Sequence, residues 1–216
     1  MGKEKYVDHF LTRAGVIAVT DILKGIEGDF KAYSNDYIPL LHKILIDEDV
    51  KKDVKLNVIT LLGDICFKIT KDFVLHLNFT MEVLIAACSL ALMKSDDDSD
   101  FENYLQSLRL ALVETFTLIF YGLEDCGEIR LFGPYTNSII GYCNSLVMDD
   151  QYILQPEILK GILGFIMDLI NIINKNIKTI VNSEMLEKLI VKTKNCGVSK
   201  YIEYAKESEE VSYFFI

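Results

Sequence analysis

The chain has 216 residues, a formal net charge of −10 and a sequence pI near 4.8. Half of the residues are apolar, a quarter are charged, and Gly and Pro number only 12 and 3, which argues against a disordered chain and against a turn-rich all-β one. With arginine only at Arg13, Arg109 and Arg130, the chain lacks the clustered basic residues that phosphate contacts need, so a basic partner is favoured over nucleic acid.

In chain order, residues 1–4 read as a start segment, and a first helix begins near Tyr6 or Asp8 and runs to about Ile26. Gly28 suits its C-terminal cap and Asp29 the N-cap of the next helix. That second helix, about 30–46, carries Tyr33, Tyr37, Ile38, Leu41, Ile44 and Leu45, with Pro39 expected to kink it or reset its start. A polar turn at 47–49 leads into a helix over about 50–70. Its apolar residues Val54, Val58, Leu61, Leu62, Ile65 and Ile69 wrap more than one face, so it needs neighbours on both sides. A helix over about 72–93 follows, then the acidic run 94–103, read as a solvated loop in which Ser99 or Asp100 caps the next helix. The remaining helices are expected over about 101–123, 134–148, 156–174, 177–194 and 199–211, Pro134 and Pro156 each suiting a first turn. The apolar end, residues 213–216, reads as a frayed tail or a docking end.

One pattern recurs through these helices. Asp21-Ile22, Ile26 and Asp29-Phe30 stand at the same offsets as Asp64-Ile65, Ile69 and Asp72-Phe73, and again as Asp168-Leu169, Ile173 and Asn176-Ile177. The fold class is therefore all-α, a solenoid of about four helix pairs plus a terminal helix, with repeats near 6–47, 50–94, 100–148 and 156–195 and the last helix at 199–211. A unit of roughly 40–55 residues fits HEAT or armadillo-like repeats and is too long for tetratricopeptide or ankyrin units. Residues 1–216 read as one array. Tyr6, Val7 and Phe10 look made to pack on something before them, which suggests the C-terminal piece of a longer solenoid.

The sequence offers no chemistry. His9, His42 and His76 are far apart and lack metal-pair spacing. Cys66, Cys88, Cys126, Cys143 and Cys196 never form CxxC and read as buried free thiols rather than a disulfide framework. Nucleophile elbows, P-loops and dinucleotide fingerprints are absent, and Gly161 and Gly164 read as close helix packing. Asp96-Asp97-Asp98 lacks the Gly and terminal Glu of an EF-hand loop. Asp21, Asp64 and Asp168 recur at one point of each repeat, so they read as structural acids that join repeats. No signal-peptide core is present, and no uninterrupted apolar run reaches the ~20 residues that span a bilayer. No cofactor, metal, enzyme activity or membrane insertion is expected. What remains is an acidic surface on the second helices, carried by Glu82, Glu184, Glu187, Glu203, Glu207, Glu209 and Glu210. It suits a basic, helical ligand.

The runs VKLNVITLLGDICFKITKDF, KSDDDSDFENYLQSLR and ETFTLIFYGLED, with AVTDILKGIEGDF before them and GILGFIMDLI after, resemble the C-terminal HEAT repeats of the importin-beta family of nuclear transport receptors. The resemblance extends from about Ala14 to Lys206 and covers about the last quarter of a full receptor. It implies a receptor that shuttles between cytoplasm and nucleus through the pore. It implies that C-terminal repeats wrap the basic importin-beta-binding helix of an importin-alpha adaptor, or a basic cargo segment. Ran-GTP would bind mainly repeats N-terminal to these, and Phe-Gly nucleoporins would dock between outer helices. One departure stands out. The family's last helix typically offers a tryptophan to the basic ligand, whereas this chain has none and Glu207 stands at the matching position, with Tyr201 and Tyr204 nearby. A charge pair would replace a cation–π contact there. The alternative is a structural HEAT subunit, of a coat or phosphatase-regulatory kind, that holds large partners by apolar contacts.

Overall fold

Helical periodicity sets the architecture. In the computed structural model, which describes residues 9–25, 30–95, 98–173 and 181–212, no strand occurs among the described residues. The helices are α1 (His9–Gly25), α2 (Lys31–Ile46), α3 (Lys52–Ile69), α4 (Val74–Ala91), α5 (Ser99–Asp125), α6 (Gly133–Met148), α7 (Pro156–Ile173), α8 (Ser183–Lys194) and α9 (Ser199–Ser212). The expected caps at Gly28 and Asp29, the start near Tyr6, residues 96–97 and the tail at 213–216 lie outside the described residues.

Four boundaries differ from the sequence reading. Pro39 does not reset the start of α2, which runs from Lys31 to Ile46 with the proline inside it. Between α3 and α4 the chain makes a 3₁₀ turn, Thr70–Phe73, entered through Thr70 at φ 44°, a backbone region unfavourable for a β-branched residue. A second 3₁₀ turn, Ile129–Phe132, precedes α6. The cap of α5 is neither Ser99 nor Asp100. The Asp98 carboxylate accepts the N–H groups of Asp100 and Phe101 at 3.0 and 3.1 Å, because an N-cap acid must stand one residue before the helix to reach its free donors.

The chain divides into two compact units, Met1–Ala87 with Glu114–Gly133, and Cys88–Val113 with Pro134–Ile216. In the first, α1 and α2 both pack on α3, whose Val58, Leu62, Ile65 and Cys66 are fully buried. Backbones approach closely here. A Cβ on Gly122 would meet the Cys66 carbonyl oxygen at 2.9 Å, and one on Gly63 would meet the Thr115 Cα at 3.1 Å. Thr115 donates its hydroxyl to the Ile59 carbonyl at 3.0 Å. The ring of Phe120 stands edge-on to Phe132 at 5.3 Å. His42 and Thr80 tie α2 to α4 at 2.8 Å. In the second unit α8 packs on α7 and α9, and α9 on α7. Ile162, Leu163, Ile166, Met185 and Leu189 fill that core. By length and composition alone, the stretch Lys52–Ala91 contains a window apolar enough to cross a membrane, mean hydropathy 1.7. The chain there is two helices joined by the turn at Thr70, and Leu77, Met81 and Leu84 are buried in the fold.

Candidate functional site

Lys160, Gly164 and Asp168 fall at i, i+4 and i+8 of α7 and so share one face. Tyr204 of α9 lies over it. The Lys160 ammonium is 5.8 Å from the Tyr204 ring centroid, and a Cβ on Gly164 would stand 3.7 Å from the Tyr204 hydroxyl. That is ordinary contact, so Gly164 is not the close-packing glycine its sequence context suggested. Gly161 is tighter, since a Cβ there would stand 3.2 Å from Val113 Cγ1. Burial, then the carboxylates of Asp168 and Glu207, raise the Tyr204 phenol above its usual range. The site thus brings together Asp168, Tyr204 and Glu207, which the sequence reading placed in two different categories.

Glu203 and Glu207 are exposed one turn apart on α9. Such a like-charge pair destabilises a helix by a few tenths of a kcal/mol, an effect that a bound cation relieves. On α8, Glu184 sits in the first turn, its N–H accepted by the Asn182 side chain at 3.0 Å, and its charge suits the positive end of the helix. Glu187 is exposed on the same helix. Lysines of α8 are drawn elsewhere: Lys188 and Lys192 pair with Asp150 at 2.9 and 3.1 Å, and Lys194 pairs with Glu209. Glu209 is therefore already paired within the chain, although its sequence position had placed it with the ligand-facing acids. Glu82 belongs to the first unit, exposed on α4, where it accepts from Asn78 Nδ2 at 2.8 Å. Of the repeat acids, Asp21 is exposed on α1, while Asp64 on α3 and Asp168 on α7 are half-buried.

Arg109 is the residue that sequence reasoning passed over. It is 1% exposed, and its guanidinium donates to the Ala91 and Met93 carbonyls, both at 3.0 Å, and to Glu102 at 2.8 Å. It lies 5.1 Å from the Tyr152 ring. The available signal was a lone arginine between Leu108 and Leu110 inside an apolar helix. It closes off the carbonyls at the end of α4 and forms part of a cleft of about 740 Å³ with Lys94, Glu102, Gln106, Tyr152 and Ile153. A smaller groove of about 370 Å³ is lined by Leu154, Pro156, Leu159, Val191, Lys192 and Cys196.

The thiols divide. Cys66, Cys88 and Cys143 are buried, but Cys126 and Cys196 are half-exposed, a correction to the expectation that all five are interior. Burial pushes Cys88 up to about 12 and the Cys66 and Cys143 thiols higher still, so these three are unreactive. Among the described residues no group of three or more His, Cys, Asp or Glu side chains could hold a metal.

The family model "Importin subunit beta-1-like, TPR repeats" matches residues 4–194. Importin subunit beta-1 of Arabidopsis thaliana is 22% identical over 188 residues, covering 87% of this chain and 21% of that protein. Importin subunit beta-1 of Saccharomyces cerevisiae is 26% identical over 159 residues, covering 74% of this chain and 18% of that protein. The chain thus spans about a fifth of the length of these relatives. A crystal structure of importin beta superposes with a TM-score of 0.78 at 20% identity, over 90% of this chain and 22% of that one. A complex of Kap95 with Nup1 superposes with a TM-score of 0.76 at 22% identity, over 90% and 23%. The fold is the all-α HEAT-repeat solenoid of these structures. First helices of successive pairs begin at His9, Lys52, Ser99 and Pro156, more widely spaced than tetratricopeptide units of roughly 34 residues.

Proposed function

The chain belongs to the importin subunit beta-1-like family, and from that premise we propose that it is the C-terminal part of a nuclear import receptor, a non-enzymatic scaffold that binds the basic helix of an importin-alpha-type adaptor or a basic cargo segment. The observation that carries this reading is the set of exposed acids on α8 and α9, Glu184, Glu187, Glu203 and Glu207, with the α8 lysines Lys188, Lys192 and Lys194 committed to other carboxylates and only Lys200 and Lys206 exposed beside the acids of α9. Tyr204 serves the site by fixing α9 against α7 rather than by offering a free ring, since Lys160 already lies over it. Glu82 of the first unit is assigned to the same class of partner. Asp21, Asp64 and Asp168 are assigned to joining repeats, the half-buried Asp168 beside Tyr204 supporting that role. The chain spans about a fifth of its relatives' length, and most of the Ran-GTP contacts are assigned to repeats outside the span it covers. The protein would shuttle between cytoplasm and nucleus by way of the pore.

Titration of the chain with a basic amphipathic peptide tests the reading. Affinity should fall steeply with salt; no binding at low ionic strength sinks it. Phe-Gly nucleoporin segments are assigned to the small groove beside Val191, which is 54% exposed. Val191→Gln, which adds no charge to α8, should weaken capture of a Phe-Gly peptide and leave the basic-peptide titration unchanged. The alternative, a structural HEAT subunit held by apolar contacts, is favoured by Leu75 and Phe79 on α4, 82% and 42% exposed, and would reveal itself as salt-insensitive binding of a large partner.

A further inference from the structure

The segment 149–155 between α6 and α7 forms one wall of the large cleft, through Gln151, Tyr152, Ile153 and Gln155. Its ties to the rest of the second unit are of two kinds. Asp149 pairs with Lys94 at 2.6 Å on one side, and Lys94 also donates to Gln151. Asp150 pairs with Lys188 and Lys192 on the other. Those two lysines donate as well to the Met148 and Val147 carbonyls at the end of α6, both at 2.8 Å. Neutral bonds supplement the charges: Tyr152 donates to the Leu92 carbonyl at 2.6 Å, and Gln106 to the Ile153 carbonyl at 2.8 Å. Lys94 first, and the Gln151 N–H after it, hold the Asp149 carboxyl below its usual range; Lys188 and Lys192 do the same for Asp150. Two neighbouring acids thus point to opposite sides, and their partners are half-exposed, so water and ions reach every pair. Ile153 at the rim is 86% exposed and contributes little packing.

We infer that residues 149–155 form a loop latched by two independent ion-pair groups, which sets the width of the Arg109 cleft and loosens as ionic strength rises while the flanking helices stay packed. Exposed pairs of this kind are weak singly and are screened by salt, whereas the helices around them are held by buried apolar contacts that salt does not screen. Opening is therefore local.

Hydrogen exchange of the whole chain, read by mass spectrometry, tests this. Raising salt from about 20 mM to about 500 mM should speed exchange at 149–155 roughly fivefold, with no change in peptides from the interior of α5 and α7. In the double variant Asp149→Asn/Asp150→Asn the loop should exchange at the faster rate at both salt concentrations. Tyr152→Phe, which removes a neutral tie, should raise the rate but keep its salt dependence. Salt-independent exchange of the loop in the unsubstituted chain overturns the latch. So does a double variant that loses protection throughout α7 and α8, because the pairs would then belong to the packing itself.

Discussion

At the scale of single residues, the fold depends on two kinds of position. Glycines mark the first. Gly122→Ala should destabilise the protein by about 2 kcal/mol, since its Cβ would lie 2.9 Å from the backbone oxygen of Cys66, which cannot move aside cheaply. Gly164→Ala, where the nearest atom is the end of the Tyr204 side chain at 3.7 Å, should be neutral or add up to about 1 kcal/mol by helix propensity. Urea unfolding of the two variants separates the cases; equal effects would refute the packing argument. His42 marks the second. Thr80 spends its proton on the His76 carbonyl at 2.9 Å, so its oxygen accepts from His42 Nε2 at 2.8 Å, which assigns the neutral tautomer with hydrogen on Nε2. Burial first, and His76 second, lower the His42 pKa from 6.5 to about 4. The unfolded chain therefore takes up this proton before the folded one does. The stabilising contribution is complete above about pH 6.5 and is lost as pH falls toward 4, by at most about 3 kcal/mol. The pH dependence of the unfolding free energy in that window should flatten in His42→Gln; an unchanged slope would assign the acid sensitivity to other groups.

At the scale of elements, most helices were legible because they carry an apolar repeat near 3.6 residues, whereas α4 is apolar nearly all round; Pro134 and Pro156 fall in first turns as expected. What was not legible depends on partners distant in sequence. Pro39 was expected to kink α2 or reset its start, yet Ile38, Leu41 and Leu45 are buried within the first unit and α2 runs through it from Lys31 to Ile46. Which acid caps α5 rests on one residue of register, and Asp98, Ser99 and Asp100 are all plausible caps by type. The acids Glu184, Glu187, Glu203 and Glu207 could be read as exposed from their helical positions, but the pairing of Glu209 with Lys194 could not. Arg109 was hidden for the same reason, as its partners Ala91 and Met93 lie on another helix end and contribute only carbonyls. Arg109→Met should cost about 3 kcal/mol: the guanidinium is buried and bonded through all three nitrogens, and its loss leaves two carbonyls without this donor and the Glu102 carboxylate with Gln106 alone. Thermal unfolding checks the magnitude, and a loss below about 1 kcal/mol would mean that water replaces the guanidinium at little cost.

At the scale of the whole molecule, a net charge of −10 favours any basic ligand at long range, so overall charge cannot by itself identify a binding surface. A charge-matched comparison can. Neutralising Glu203 and Glu207 together with Glu184 and Glu187, each to Gln, removes four charges that face solvent on α8 and α9. If each contributes about 0.3 kcal/mol to a bound basic helix, the sum weakens binding roughly tenfold at low salt. Stability should fall by no more than about 1 kcal/mol, most of it from Glu184→Gln, which removes a charge suited to the N-terminus of α8. Relief of the Glu203–Glu207 repulsion would push it slightly upward. Neutralising an equal number of exposed acids elsewhere, Asp36, Glu48, Asp49 and Glu124, reduces the net negative charge by the same amount without touching α8 or α9. The two four-fold variants should therefore share one long-range attraction and differ only in local contacts. A basic peptide that loses about tenfold in affinity with the first variant and about twofold with the second places its contacts on α8 and α9. Equal losses would reduce the interaction to bulk charge, and the acids of the last two helices would then be ordinary solvated faces.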